Sequence, residues 1–184
     1  MDNHSLNVKI ATVLVGICLM ASTVMVGAVQ AQSLESACKS DPHFNDFDFW
    51  LGEWTVTDRA TGSFQGANLI EKVEDGCLIK ENWISAGGGT GFSMNYYNPN
   101  TNEWRQLWVS AGAYSIDYKG GLKDGSMVMH GHMNNFTTGE TLPFRGAWTP
   151  LKDGTVRQFF EVKPSGSDEW TTWFDGIYRH SSPQ

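Results

Sequence analysis

After residue 45 the chain repeats with a period of two. Short runs rich in Val, Ile, Thr, Phe, Tyr and Trp alternate apolar with polar positions, and no helical period of useful length interrupts them. Turn clusters separate the runs: Asp-Gly pairs at 75–76, 124–125 and 153–154, three glycines at 87–89, "NPNTN" from Asn98 and "PSGSD" from Pro164. The pattern predicts about ten strands, near 52–58, 64–74, 77–86, 91–98, 103–110, 113–120, 126–134, 143–149, 155–163 and 170–179. Connections this short make sequential neighbours pair antiparallel. A flat meander of that length would leave two exposed edges, and closing it into an up-and-down barrel removes them. The expected fold is therefore all-β, an antiparallel barrel over residues 46–180, with tails at 32–45 and 181–184. A two-sheet sandwich would need longer crossovers.

The one long apolar run lies before this region. Ile10 to Val29 follows Lys9 and ends in "VQA", with Val29 and Ala31 fitting the small-residue cleavage rule. Residues 1–31 read as a secretory signal peptide. An uncleaved N-terminal membrane anchor is the alternative, because the run is about as long as a membrane span. Export to the periplasm or the extracellular space gives Cys38 and Cys77 a setting in which to form a disulfide. The third cysteine, Cys18, lies in the leader.

The 184-residue chain has a net charge of −7, and losing Asp2 and Lys9 with the leader leaves it there. An acidic domain without a basic face is a poor partner for nucleic acid or anionic lipid. A small molecule is the expected partner, with no membrane contact once the leader is removed. Neither its identity nor an oligomeric state is readable.

All eight tryptophans follow the leader, at 50, 54, 83, 104, 108, 148, 170 and 173. Trp fills volume and brings one N–H donor, so these residues suit a packed interior or a pocket for a flat apolar ligand. Alternation groups them with polar side chains. Glu81 shares a face with Trp83, Asn95 with Ser93 and Tyr97, Gln106 with Trp104 and Trp108, and Arg157 with Phe159 and Glu161. If these are lumen faces, Glu81, Trp83, Asn95, Tyr97, Trp104, Gln106, Trp108 and Arg157 make an amphiphilic ligand site. A plain internal ion pair between Arg157 and Glu81 or Glu161 is the structural alternative.

Chemistry is sparsely marked. There is no GxSxG and no Ser-His-Asp arrangement, so nucleophilic catalysis has no support. Acid–base chemistry in the lumen remains open, with Glu81 or Glu161 as base and Arg157 beside it. His130 and His132 in "MHGHM" fall on one strand face, a spacing that can share a metal, but a site needs a third ligand. No metal or cofactor is expected from the residues themselves.

The segment "FDFWLGEW", Phe47 to Trp54, carries a resemblance. Gly52-Glu53-Trp54 resembles the glycine-x-tryptophan signature of lipocalins and the wider calycin superfamily. The whole string is similar to that of exported bacterial proteins with lipocalin-like barrels. The likeness continues through "DGCLIKENW", "FSMNYYNP", "EWRQLWV", "WTPLKDGTVRQ" and "WFDGIYR". It implies a fold and no particular activity. In lipocalins the signature tryptophan packs across the closed end under a basic side chain of the last strand, which implies that Trp54 meets Arg179. Barrels similar to nitrobindin bind haem through a histidine near the C-terminus, which here would be His180. "FDFWLGEW" is thus expected to plug one end, leaving the glycine loop at 87–91 at the functional end.

Overall fold

The computed structural model describes residues 37–181, so the signal peptide, its alternative as an anchor and the final residues fall outside the described part. Ten strands follow in order: β1 (Gly52–Asp58), β2 (Phe64–Val73), β3 (Leu78–Ser85), β4 (Thr90–Asn98), β5 (Glu103–Ser110), β6 (Tyr114–Lys123), β7 (Ser126–Asn135), β8 (Thr141–Pro150), β9 (Val156–Val162) and β10 (Thr171–His180). Each pairs antiparallel with its sequence neighbours, and β1 pairs with β10, so the sheet closes into an up-and-down barrel. The turn chemistry explains the sharpest connection. Asp124-Gly125 joins Lys123 to Ser126 across a two-residue hairpin, the length such a dipeptide favours.

Alternation does what the sequence pattern implies. On β4, Ser93, Asn95 and Tyr97 are buried while Phe92, Met94 and Tyr96 face out. On β7, Met127, Met129 and Met133 point inward and His130 and His132 outward. The outward pair stands alone, and no cluster of three or more potential metal ligands occurs among the described residues.

The barrel's two ends differ. Residues 37–45, expected as a tail, fold with 46–51 into a cap. A helical turn (Ala37–Ser40) precedes two 3-10 turns, Pro42–Asn45 and Asp48–Trp50. Asp41 starts the first 3-10 turn by accepting from the His43 N–H at 3.0 Å. Cys38 bonds to Cys77, fixing the cap beside the turn between β2 and β3. Lys72 of β2 acts as a second staple. Its Nζ donates to Phe44 O at 3.0 Å, Asn45 Oδ1 at 2.6 Å and Asp48 Oδ1 at 2.6 Å. No described helix is long and apolar enough to cross a membrane.

The cap drives its aromatics into the barrel. Phe47 and Trp50 are completely buried. They stack at 4.9 Å, and Phe47 meets Trp104 and Trp148 edge-on at 5.7 and 5.2 Å. Trp54 donates its indole N–H to Trp50 O at 2.9 Å. The expected Trp54–Arg179 contact is absent. Trp54 stacks instead on His180, with ring centroids 3.8 Å apart. Strand register is the reason: His180 stands opposite Trp54, whereas Arg179 stands opposite Thr55 on the outer face and donates to Thr57 Oγ1 at 3.1 Å. Gly52 makes the seal possible. Its φ of +133° is unfavourable for other residues, and a Cβ there would lie 2.9 Å from the His180 ring.

Candidate functional site

At the end opposite the cap, the interior is not filled. A cavity of about 90 Å³ lies there, bounded by residues of β3, β5, β6, β9 and β10. Its aromatic wall comprises Trp83, Trp108, Tyr114, Tyr118, Phe160, Trp173, Phe174 and Tyr178; Glu81, Gln106, Ile116 and Gln158 complete it. A glycine makes room for one of these rings. A Cβ on Gly91 would come within 2.1 Å of Trp108 Cζ2, so the indole lies directly over the β4 backbone.

The cavity has a polar floor on one side. Glu81 is buried at 3% exposure. Its Oε1 accepts from Asn68 Nδ2 at 2.8 Å and its Oε2 from Ser93 Oγ at 2.6 Å. Asn95 donates to Ser93 Oγ at 2.9 Å and to Ile79 O at 3.1 Å. Gln106 donates in turn to Asn95 Oδ1, and the Tyr118 hydroxyl donates to Gln106 Oε1. The chain Glu81–Ser93–Asn95–Gln106–Tyr118 therefore crosses four adjacent strands, β3 to β6. Burial pushes the Glu81 carboxyl up to about 7, against the smaller opposing pull of the Ser93 and Asn68 hydrogen bonds. Burial also pushes the Tyr118 and Tyr178 phenols well above their usual range, so both stay neutral at neutral pH, Tyr118 donating to Gln106 and Tyr178 accepting from Asn68.

Of the residues expected in a ligand site, Glu81, Trp83, Gln106 and Trp108 line this cavity together. Asn95 lies beneath it in the hydrogen-bond chain. Tyr97 and Trp104 point inward but belong to the plug. Tyr97 packs edge-on to Phe44 at 5.3 Å and donates to Asn102, and Trp104 packs on Phe47.

Arg157 and Glu161 are corrected to the outer face. Val156, Gln158 and Phe160 take the inner positions of β9. Arg157 makes a two-pronged contact to Asp175 at 2.7 and 2.9 Å, and Glu161 pairs with Arg145 at 2.6 Å. Both lie on the face of the sheet opposite Glu81, so the internal ion pair weighed as the structural alternative does not form. His180, the position that suggested haem, is held in the Trp54 stack at the closed end and is not part of the cavity wall.

Sequence reasoning missed most of the β6, β9 and β10 wall. Tyr114, Ile116 and Tyr118 carry a plain alternating signal that would have found them. Trp173 and Phe174 carry none. A bulge between Thr172 and Phe174 breaks the alternation and turns both adjacent aromatics to the lumen. Trp173 stands at the mouth, 40% exposed, near-parallel to Phe160 at 6.2 Å and edge-on to Tyr114 at 5.7 Å.

No protein-family model and no curated protein matches the chain.

Proposed function

We propose that this protein is an exported, lipocalin-like barrel that binds a small, mostly apolar molecule in the cavity at its open end. One observation carries the reading: an otherwise densely filled barrel keeps a space walled by eight aromatic side chains and floored by a hydrogen-bonded polar chain. Aromatic walls with a few fixed polar groups are the usual make-up of a small-molecule site. Export draws support from the apolar leader and from the Cys38–Cys77 bond, which an oxidising compartment sustains. The lipocalin likeness draws support from barrel closure and from the tryptophan of the signature sitting in the plug. Titrating the purified protein with a panel of aromatic, lipid and haem ligands, read by tryptophan fluorescence, tests the reading. Saturable quenching that Trp108→Ala weakens at least about tenfold supports it. Silence across the panel, with the cavity shown to be collapsed in a crystal structure, overturns it.

A second reading, acid–base catalysis in the same cavity, is favoured by one feature. A carboxyl held near neutrality without a basic partner is suited to take and return a proton at physiological pH. Glu81→Gln separates the two readings: it abolishes turnover of a bound substrate if Glu81 is the base, whereas a protein that only binds turns over none of its ligands with or without the carboxyl, and the substitution changes affinity alone.

A further inference from the structure

The charge the cavity would accept can be deduced from its wall, granted that the cavity is a binding site. Glu81 is the single side chain of the lining with a formal charge. The titratable groups that feel that charge are Tyr114 and Tyr118 of β6 and Tyr178 of β10, all phenols pushed upward. Its cross-strand partners are Ile70 on β2 and Ser93 on β4. No lysine, arginine or histidine is among them. Around the cavity, unpaired buried acceptors also outnumber unpaired donors. A carboxylate offers about four lone-pair sites, and two are used. Gln158 Oε1, also in the wall, is buried with no donor, and so is Asn68 Oδ1 beside Glu81. Among the described residues, the buried indole N–H groups without an acceptor lie mainly in the plug, on Trp50, Trp104 and Trp148; Trp108 alone carries one on the cavity wall.

We propose that the cavity takes a small organic cation, an ammonium or protonated amine, its charge held by Glu81 and Gln158 and its carbons against Trp83, Trp108 and Tyr114. The faces of aromatic rings attract a cation, most strongly when it is desolvated. The carboxylate supplies the counter-charge, and the spare acceptor oxygens take N–H donors where the cation has them. An anion would meet a carboxylate with no basic group to offset it. The cavity of about 90 Å³ is smaller than the ~150 Å³ that admits benzene in an apolar core. It suits a compact head group, with any remainder of the molecule passing Trp173 into solvent.

Burial holds Glu81 near 7, so the ionised form that attracts a cation is gained as pH rises through that value. A permanent cation then binds about tenfold more tightly for each pH step of one below about 7, and its affinity levels off above.

Choline and its neutral isostere 3,3-dimethylbutan-1-ol, with pivalate as the anion, make the test. Each is titrated by calorimetry between about pH 5 and pH 9, against the wild-type protein and Glu81→Gln. The expected result is a choline preference over the alcohol of at least about tenfold above neutrality. That preference shrinks as pH falls and is lost in Glu81→Gln, while pivalate binds weakest. The wild-type pH series alone decides the matter if the variant does not fold. Equal binding of choline and the alcohol at high pH, or tighter binding of pivalate, overturns the cation and leaves the binding site standing. No binding by any of the three overturns the cation; together with a silent ligand panel, it overturns the binding reading as well.

Discussion

The two ends of this barrel use the same residue types to opposite effect. At the closed end Phe47, Trp50, Trp54 and Trp148 are almost wholly buried against one another. At the open end Trp83, Trp108 and Trp173 stand around a space. The difference lies in what enters from outside the sheet. The cap pushes Phe47 and Trp50 into the lumen and is held by the Cys38–Cys77 bond and Lys72. Nothing comparable enters the other end among the described residues, and there the polar chain beginning at Glu81 claims one side of the interior. Aromatic count alone therefore does not tell a core from a pocket; the presence of a filling segment does.

The sharpest way to break this comparison is to hollow the plug. Trp50→Ala should cost about 3–5 kcal/mol, the range for a large ring removed from a packed core. A urea melt reads the loss, and ligand affinity per folded molecule should be unchanged. Cutting the staple comes next. Cys38→Ser with Cys77→Ser should lower stability by roughly 3–4 kcal/mol at most, again in denaturant melts without a change in affinity.

Glu81 gives a pH signature from the open end. Its folded value of about 7 lies above the 4.5 of an unperturbed glutamate. The native state therefore holds a proton that the unfolded chain releases, and stability falls as pH rises. The contribution is intact below about pH 4.5, declines up to about 7 and is then flat, at a total near 3 kcal/mol. Glu81→Gln should flatten that part of the curve. Its amide still accepts from Asn68, and the Ser93 hydroxyl can rotate to accept from it. A wild-type stability that does not fall across this window would show that the carboxyl is solvated after all.

Gly91→Ala should cost about 1–3 kcal/mol, because Trp108 must leave its place over the β4 backbone. Unlike the plug variants it should also weaken ligand binding, as the displaced ring enters the cavity. The smallest stability effect belongs to Trp173→Ala, about 1 kcal/mol or less for so exposed a ring, with faster ligand release in stopped-flow traces as its main consequence.

Strand number and closure were legible because turn chemistry and alternation act locally, residue by residue. Which face points inward was legible only where the two faces differ. In "LIKENW" alternation groups Ile79 and Glu81 with Trp83, opposite Lys80 and Asn82, and the barrel then turns that group inward. In "VRQFFEV" each face carries one phenylalanine, but Val156 and Val162 flank Gln158 and Phe160 whereas Phe159 stands between Arg157 and Glu161; the apolar face was there to be read, and the charged pair drew attention to the wrong one. Trp173 and Phe174 were hidden by a bulge, which is a property of strand pairing and not of period. Arg179 and His180 differ by one register step, and no local signal selects between them. The long-range groups around Glu81 were the least legible, since Asn68 and Tyr178, 110 positions apart, meet only across the closed sheet.

The β1–β10 seam also governs how the molecule must assemble. Thr55 and Ser181, 126 positions apart, share a hydroxyl contact beside it, whereas every other strand pair joins neighbours along the chain. Loop-closure entropy makes such a distant pairing the costliest to form, and topologies rich in distant contacts fold slowly. The hairpins can zip locally, but the ring is complete only when the first strand finds the last. Trp54 lying flat on His180 is then a latch that shuts at the final step, and its fluorescence is a natural clock for the end of folding.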